Sequence, residues 1–540
     1  MHRHRLRFLV GALLVGVSLM VAGAATGASK KASSGSVVFG AEQEPPCLNG
    51  TLEGCNNTWT SWTVGIALAG AYIERPDFSF VPYMAAGEAK ASKNPFALTI
   101  NINKKAKWSD GKPVTADDYI FTWHLIVDPK NEVASRSGWD SIARAVRINA
   151  KTVKFIFKKP YAPWKIMLTQ SIYPQHALQG SDFNDVWNTN YKNPKTGVEM
   201  ASGPYKLASY TKGQSLTMVR NTAFWGKRPN LDRIVFRFIT NTDSEVQAIR
   251  GGEVDAIYPQ PQLQLAGLRG QSGLKVQSHA GTSLEHIDFN TGPKSSNPLL
   301  RQRWFRQAIA YSIDRKAMVR QLFRTLNPSL GVLNNLSYTS QQKQYVPHFQ
   351  RYVRNLKKVT SMFRAHGCRK GGDGIWSCNG QRASVRLGTT SGNKLRELAV
   401  EIMQAQAKSA GIEFRADNQP SNLFFARLPT ENYDLALFAW VGSGDPAGQT
   451  DIYGVGGGSN WKAYNSKAVT RLFAASDAEV NAKARAADVN KADAILANDM
   501  TTLPLYQKPT YFVFKSKLHN LQDNPTSQGP TWNTEHWTAS

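Results

Sequence analysis

Residues 384–416, SVRLGTTSGNKLRELAVEIMQAQAKSAGIEFRA, and then DLALFAW at 434–440, decide the fold class. SVRLGT and IEFRA read as strands. Lys394 to Ala410 between them reads as an amphipathic helix, with Leu395, Leu398, Ile402 and Ala405 on one side and Gly411 as its stop. DLALFAW is apolar enough to be buried on both faces. Strand, helix and strand in this order form a unit whose crossover is right-handed. The chain then turns through Gly442-Ser443-Gly444-Asp445-Pro446. Ligands of open α/β sheets bind outside the carboxyl ends of strands. Trp440 ends the buried strand and Asp445 follows it, placed to meet a cationic group. The alternative is that Asp445-Pro446 only makes a turn.

Outward from this unit the signals are similar. Val37–Ala41, FALTINI at 96–102, Val153/Phe155/Phe157, Leu216 with Met218, and Ile234/Phe236/Phe238 predict strands. Thr115 is a good N-cap with Asp117 and Asp118 in the first turn, where a helix dipole favours acids. Ile120, Trp123, His124 and Val127 then share helical spacing, and His124 reads as a packed helix residue rather than a ligand. Thr242 to Gly251 reads as a capped helix, and a long helix covers much of Leu300 to Phe323. The chain has 540 residues, which suggests two to four domains. The class is α/β, mixed α+β, with mixed sheets and no solenoid-length repeat.

Hydrophobic residues are 41% and charged residues 19%, the balance of a folded chain. The formal net charge is +26, but the positive residues are dispersed in doublets such as Lys104-Lys105 and Lys357-Lys358. Nucleic-acid binding prefers a concentrated stripe, so no nucleic-acid partner is expected. Weak adhesion to anionic cell-envelope polymers and a solvated surface with no partner fit the charge about equally well. His2, Arg3, His4, Arg5 and Arg7 precede an apolar run from Phe8 to Val21, followed by small residues to Ala28. This is a signal-peptide pattern, cleaved near Ala24 or Ala28; the competing reading is an uncleaved membrane anchor, for which the run is short. Ala24 stands where a lipoprotein would carry its acylated Cys, so there is no lipobox. A secreted, extracytoplasmic location follows. Cys47, Cys55, Cys368 and Cys378 form two short-spaced pairs, each read as a local disulfide in an oxidising compartment. Neither pair has the spacing of a zinc ribbon or finger.

No local motif supplies catalysis, a metal or a cofactor: H-E-x-x-H, G-x-S-x-G and a phosphate loop are all missing. One enzyme pattern needs weighing. Ser109-x-x-Lys112, Ser181-Asp182 and Lys195-Thr196-Gly197 follow the order of penicillin-recognising serine enzymes. Gly111 and Pro113 favour a turn where that chemistry needs a helix, and Phe183 stands where Asn belongs. A non-enzymatic binder is the expectation, with aromatic walls drawn from 14 Trp and a few placed charges.

AKWSDGKPVTADDYIFTW, KTVKFIFKKPYAPW, SGPYKL, GQSLTMVRNTAFWGKRPNLDRIVFRF, AIRGGEVDAIY, FRQAIAYSIDR, YDLALFAW with Asp445-Pro446, and LPLYQK occur in order along the mature chain. In this series the chain resembles the extracytoplasmic solute-binding proteins of ABC importers, in the oligopeptide- and dipeptide-binding family. The resemblance implies a two-lobed, periplasmic-binding-protein-like clamp with a third, inserted domain. Residues 1–28 are then signal peptide and 29–36 linker. Residues 37–75, 200–290 and 503–540 form the lobe I core, 76–199 its inserted domain, and 291–502 lobe II. Chain crossings near Asn290 and Leu503 form the hinge. The implied partners are a short peptide and an ABC permease and ATPase complex, with the binding protein a monomer and no cofactor. The implied ligand-binding residues are Asp445, for the peptide amine, Trp440 beside it, and Glu42 in the loop after the first strand. Some members of the family bind nickel or oligosaccharides instead.

Overall fold

Two mixed sheets joined end to end carry the architecture. The computed structural model describes residues 35–540. The expected signal peptide and most of the linker lie outside the described residues. Strand β1 (Ser36–Ala41) runs parallel to β4 (Arg233–Phe238) and to β5 (Ala256–Ile257). With β2 (Tyr205–Thr211), β3 (Ser215–Arg220), β6 (Leu274–Gln277) and β12 (Phe512–Lys515), they complete a seven-stranded sheet. Its order is β6-β12-β5-β1-β4-β3-β2. The alternation of β1 explains its place. Val37, Phe39 and Ala41 enter one core, where Phe39 meets Trp59, Phe236, Phe512 and Trp537 at ring-centroid distances of 5.5 to 6.2 Å. Such aromatic packing contributes about 2 kcal/mol per buried ring.

The second sheet has five strands. Parallel β8 (Ser384–Gly388), β9 (Glu413–Ala416) and β10 (Leu435–Val441) are joined by antiparallel β7 (Ala280–Phe289) and β11 (Thr502–Pro509), in the order β9-β8-β10-β7-β11. β10 is buried on both faces as expected. Leu435 and Leu437 enter the main core, while Ala436 and Phe438 join Phe424, Leu428 and Tyr433 on the other side. The helix between β8 and β9 spans Lys394–Ser409. It presents Leu395, Ala399, Val400, Met403 and Ala407 inward, leaving Leu398 and Ile402 half-buried and Ala405 exposed. The expected face is thus rotated, because Arg396 also turns inward to meet Glu285. The same happens in Ala116–Val127, whose buried face is Ala116, Asp118, Tyr119, Thr122 and Ile126. His124 is exposed there, lying against Trp123. The single helix expected over Leu300–Phe323 is two, Arg303–Ser312 and Arg315–Phe323. Asp314 breaks it by accepting from the Ala317 amide as a new N-cap.

Residues 76–199 carry a further four-stranded sheet built from Lys90–Lys93, Phe96–Asn101, Thr152–Phe157 and Ile142–Asn149. Among the described residues no helix is long and apolar enough to cross a membrane. Cys47–Cys55 and Cys368–Cys378 are disulfides, pairing as expected.

Two short links join the sheets: 278–279 between β6 and β7, and 510–511 between β11 and β12. They are tied to each other. The Thr510 amide donates to the His279 carbonyl at 2.9 Å, and the Asp523 carboxylate holds both the Thr510 hydroxyl and His279 Nδ1, the latter at 2.7 Å. Asn290 and Leu503 lie at the far end of the same two strands, with Leu503 paired to Ile287. Strand direction then fixes the geometry. Both links leave the seven-stranded sheet at the carboxyl ends of β1, β4 and β5 and enter the five-stranded sheet at the carboxyl ends of β8 and β10. The two sets of carboxyl ends therefore face one another.

Candidate functional site

The facing ends collect charge. From the seven-stranded sheet comes Glu42, one residue past β1. Its carboxylate accepts from the Gln260 amide at 2.8 Å and from Gln260 Nε2 at 2.6 Å, and the Trp59 indole lies beside it. Glu245 stands on the helix Thr242–Arg250 that follows β4. It is 0% exposed and faces Glu42, and neither of its carboxylate oxygens has a partner. From the five-stranded sheet come Glu285 on β7, Lys508 on β11, and Arg396. Arg396 Nε donates to Glu285 Oε1, and Arg396 Nη1 donates to Thr390 Oγ1 at 3.2 Å, while Glu285 Oε2 is unpartnered. Lys508 faces Glu285, Arg396 and Glu42, so it links the charges of the two sheets. The Tyr506 hydroxyl, buried beside Glu285 and Arg396, has no partner either.

The pKa directions follow from burial and from these neighbours. Burial raises Glu42 despite its bonds to Gln260 and the charge of Lys508. Burial raises Glu245 well above the ordinary carboxylate range, and Glu42 adds to the shift. Glu285 is buried too, but Arg396 and Lys508 outweigh burial and hold it low. Lys508 is pushed down by burial against the pull of Glu285.

Beyond the end of β10 the chain packs against Glu74 and Phe78. The Gly444 amide donates to Glu74 Oε1, and Asn524 Nδ2 donates to the Glu74 carbonyl. A Cβ on Gly444 would stand 2.4 Å from Phe78 Cβ, too close for any side chain. Phe78 itself adopts φ +66°, a strained value for a non-glycine residue. Glu74 is 0% exposed, and burial pushes it up to about 8, with Asp445 adding to the shift. A second tie runs from the Ala162 amide to the Asp477 carbonyl at 2.7 Å. Burial pushes the Asp477 carboxyl to about 6, against the pull of Arg485.

Asp445 sits in this region as expected, but its charge is engaged. Arg485, on the helix Ala482–Asp499, grips both carboxylate oxygens at 2.7 Å. Trp440 lies half-buried between Phe438 and Trp461, its ring 5.4 Å from the latter and its indole N–H unpartnered. Trp440 pairs with Leu284 across the sheet, so it stands on the opposite face from Glu285. Glu42 joins the charged cluster directly. Glu245, Glu285, Arg396, Lys508 and Glu74 were not singled out from sequence. The one available signal was a charged residue on a helix or strand otherwise apolar on that side.

The other candidates resolve into scaffolding. Ser109 Oγ donates to the Glu199 carbonyl and accepts from the Ala201 amide, within a turn where Gly111 has φ +88°. In the segment 106–123, Asp118 accepts from the Thr115 and Gln175 amides and from the Trp108 indole. A cavity of about 300 Å³ lies elsewhere, lined by Gly65, Gln170, Trp532 and Glu535, and holds none of the five charges.

Two sheets joined by paired strands, with charged residues buried where they face, define a ligand-capturing binding protein. Residues 79–463 match the bacterial extracellular solute-binding proteins, family 5 (Middle). The chain belongs to that family. It is 26% identical over 486 residues to the oligopeptide-binding protein OppA of Mycobacterium tuberculosis, covering 88% of this chain and 80% of the relative. It is 24% identical to the Bacillus subtilis OppA, covering 78% of each. Its fold is similar to that of a periplasmic EDTA-binding protein, EppA, with a TM-score of 0.86, 23% identity, and coverage of 94% of this chain and 97% of that one. It is also similar to AppA from Bacillus subtilis in complex with a nonapeptide, with a TM-score of 0.80, 21% identity, and coverage of 94% and 99%. These relatives are two-lobed solute-binding proteins, and the mixed α/β clamp is the fold expected from sequence.

Proposed function

We propose that this protein captures short peptides between the facing ends of its two sheets and delivers them, chemically unaltered, to an ABC permease and ATPase complex. The observation that carries this reading is the row of buried polar atoms without partners at those ends: Glu245, Glu285 Oε2 and the Tyr506 hydroxyl. Buried polar groups are nearly always hydrogen-bonded, so atoms left open along a cleft mark where a polar guest completes the set. A peptide brings both the donors and the acceptors. The kinship with proteins named as oligopeptide-binding supports the same guest. Glu42, Trp440 and Asp445 are proposed to border it, Asp445 as a wall whose charge is balanced by Arg485. Ligand favours the closed arrangement over the open one, and the permease then reads the closed surface. The protein acts as a secreted, extracytoplasmic monomer after its signal peptide is removed.

The test is native mass spectrometry of the purified protein with a panel of tri- to pentapeptides, and with the nickel–histidine complex as competitor. A one-to-one peptide adduct is expected, together with compaction in small-angle scattering. The competitor is chosen because a fold neighbour, NikZ of Campylobacter jejuni, was solved with Ni(L-His). Adducts of the nickel complex without any peptide adduct would replace the peptide reading.

A further inference from the structure

The charges at the facing sheet ends do not balance. Glu42, Glu245 and Glu285 are three acids, and Lys508 and Arg396 are two bases. Arg396 is bonded to Glu285, and Lys508 stands between Glu285 and Glu42. Glu245 is the acid left over. It is 0% exposed, both its oxygens are unpartnered, and the titratable group that faces it is another acid, Glu42. Among the described residues, β1, β5 and the turn Leu263–Leu268, the elements packed most closely against its helix, carry no titratable residue. Asp445 shows the contrast, since Arg485 fills both of its oxygens.

We propose that Glu245 receives a cationic group of the bound ligand, an ammonium or guanidinium, and that this group supplies the positive charge the cluster lacks. The inference rests on the reading of the chain as a peptide-binding protein and deepens it. While the site is empty, a proton on Glu245 stands in for that charge, because a lone buried carboxylate is costly and takes up a proton instead. When the ligand's cation arrives, the O–H bond of Glu245 breaks, the proton leaves to solvent, and the carboxylate pairs with the ligand. Capture therefore releases a proton, and affinity rises with pH until Glu245 ionises unaided.

Titration calorimetry on the full protein tests this with the tri- to pentapeptide panel, chosen without Arg or His, and with the same panel acetylated on every amine. Runs in phosphate and in Tris give the proton count. For the native protein, acetylation should weaken binding by about 30-fold or more, the scale of an unpaired buried charge, and about one proton should be released per unmodified peptide. Glu245→Gln should weaken the unmodified panel similarly, leave the acetylated panel unchanged and abolish proton release. Thermal unfolding of the variant checks that it folds, and the acetylated arm needs no variant. If the unmodified panel binds, yet acetylation and Glu245→Gln both leave affinity and proton release unchanged, the inference is overturned and the peptide reading stands. If no member of either panel binds the native protein, both are overturned.

Discussion

Asp445 and Glu245 are two acids in the same interior, and their surroundings are opposite. Asp445 has a guanidinium clamped across both oxygens, and the side chains of the pair are only 14% and 11% exposed. Glu245 has neither a base nor a donor among the described residues. The first is a finished structural ion pair; the second is an unfinished one. Position after a strand therefore ranks acids poorly as ligand groups. What decides is whether the protein has already spent the charge.

The largest expected effect breaks the finished side. Arg485→Met leaves a buried carboxylate alone and should lower stability by about 3 kcal/mol in urea unfolding, because stranding one partner of a buried pair is costly. Adding Asp445→Asn should restore more than half of that. Additive losses would show that the pair carries no coupling. Next comes the pH dependence of closure through Glu74. The closed form holds this carboxyl protonated up to about 8, while a solvated carboxyl ionises near 4.5. The closed form binds the extra proton, so its advantage is greatest below 4.5 and is lost as pH rises toward about 8. Scattering of the unliganded protein should show opening across that window, and Glu74→Gln should flatten the response; an unchanged slope discards Glu74 as its source. The smallest effect belongs to the unfinished side. Glu245→Gln should shift stability by no more than about 1 kcal/mol, since it breaks no existing bond. A loss as large as that of Arg485→Met would mean that Glu245 has a structural partner and would erase the contrast.

The strands and their parallel order were legible because periodicity and crossover rules act locally. The helix faces were less so. Counting apolar residues put Leu398 and Ala405 inward, but the sheet accepted Ala399, Val400 and Met403, and a buried ion pair turned Arg396 in with them. Two of the segments that carry the family resemblance serve the scaffold. Asp255 of AIRGGEVDAIY accepts from the Val38 amide and meets Lys515 and Lys517 at 3.0 Å. Arg306 and Arg315 of FRQAIAYSIDR donate to the carbonyls of Leu300 and Pro504. Such motifs name the fold because they hold it together. Apart from Glu42 the site stayed hidden, because Glu42, Glu245, Glu285, Arg396 and Lys508 come from five separate segments, and only folding brings them together.

Gly444 makes the shut state conditional on a single missing atom. A Cβ added to it would stand so close to Phe78 and Glu74 that even alanine could not fit without pushing them away. A methyl group here would act as a doorstop. Gly444→Ala should leave each half folded yet keep the jaws ajar, a cargo protein that samples its guest but never locks.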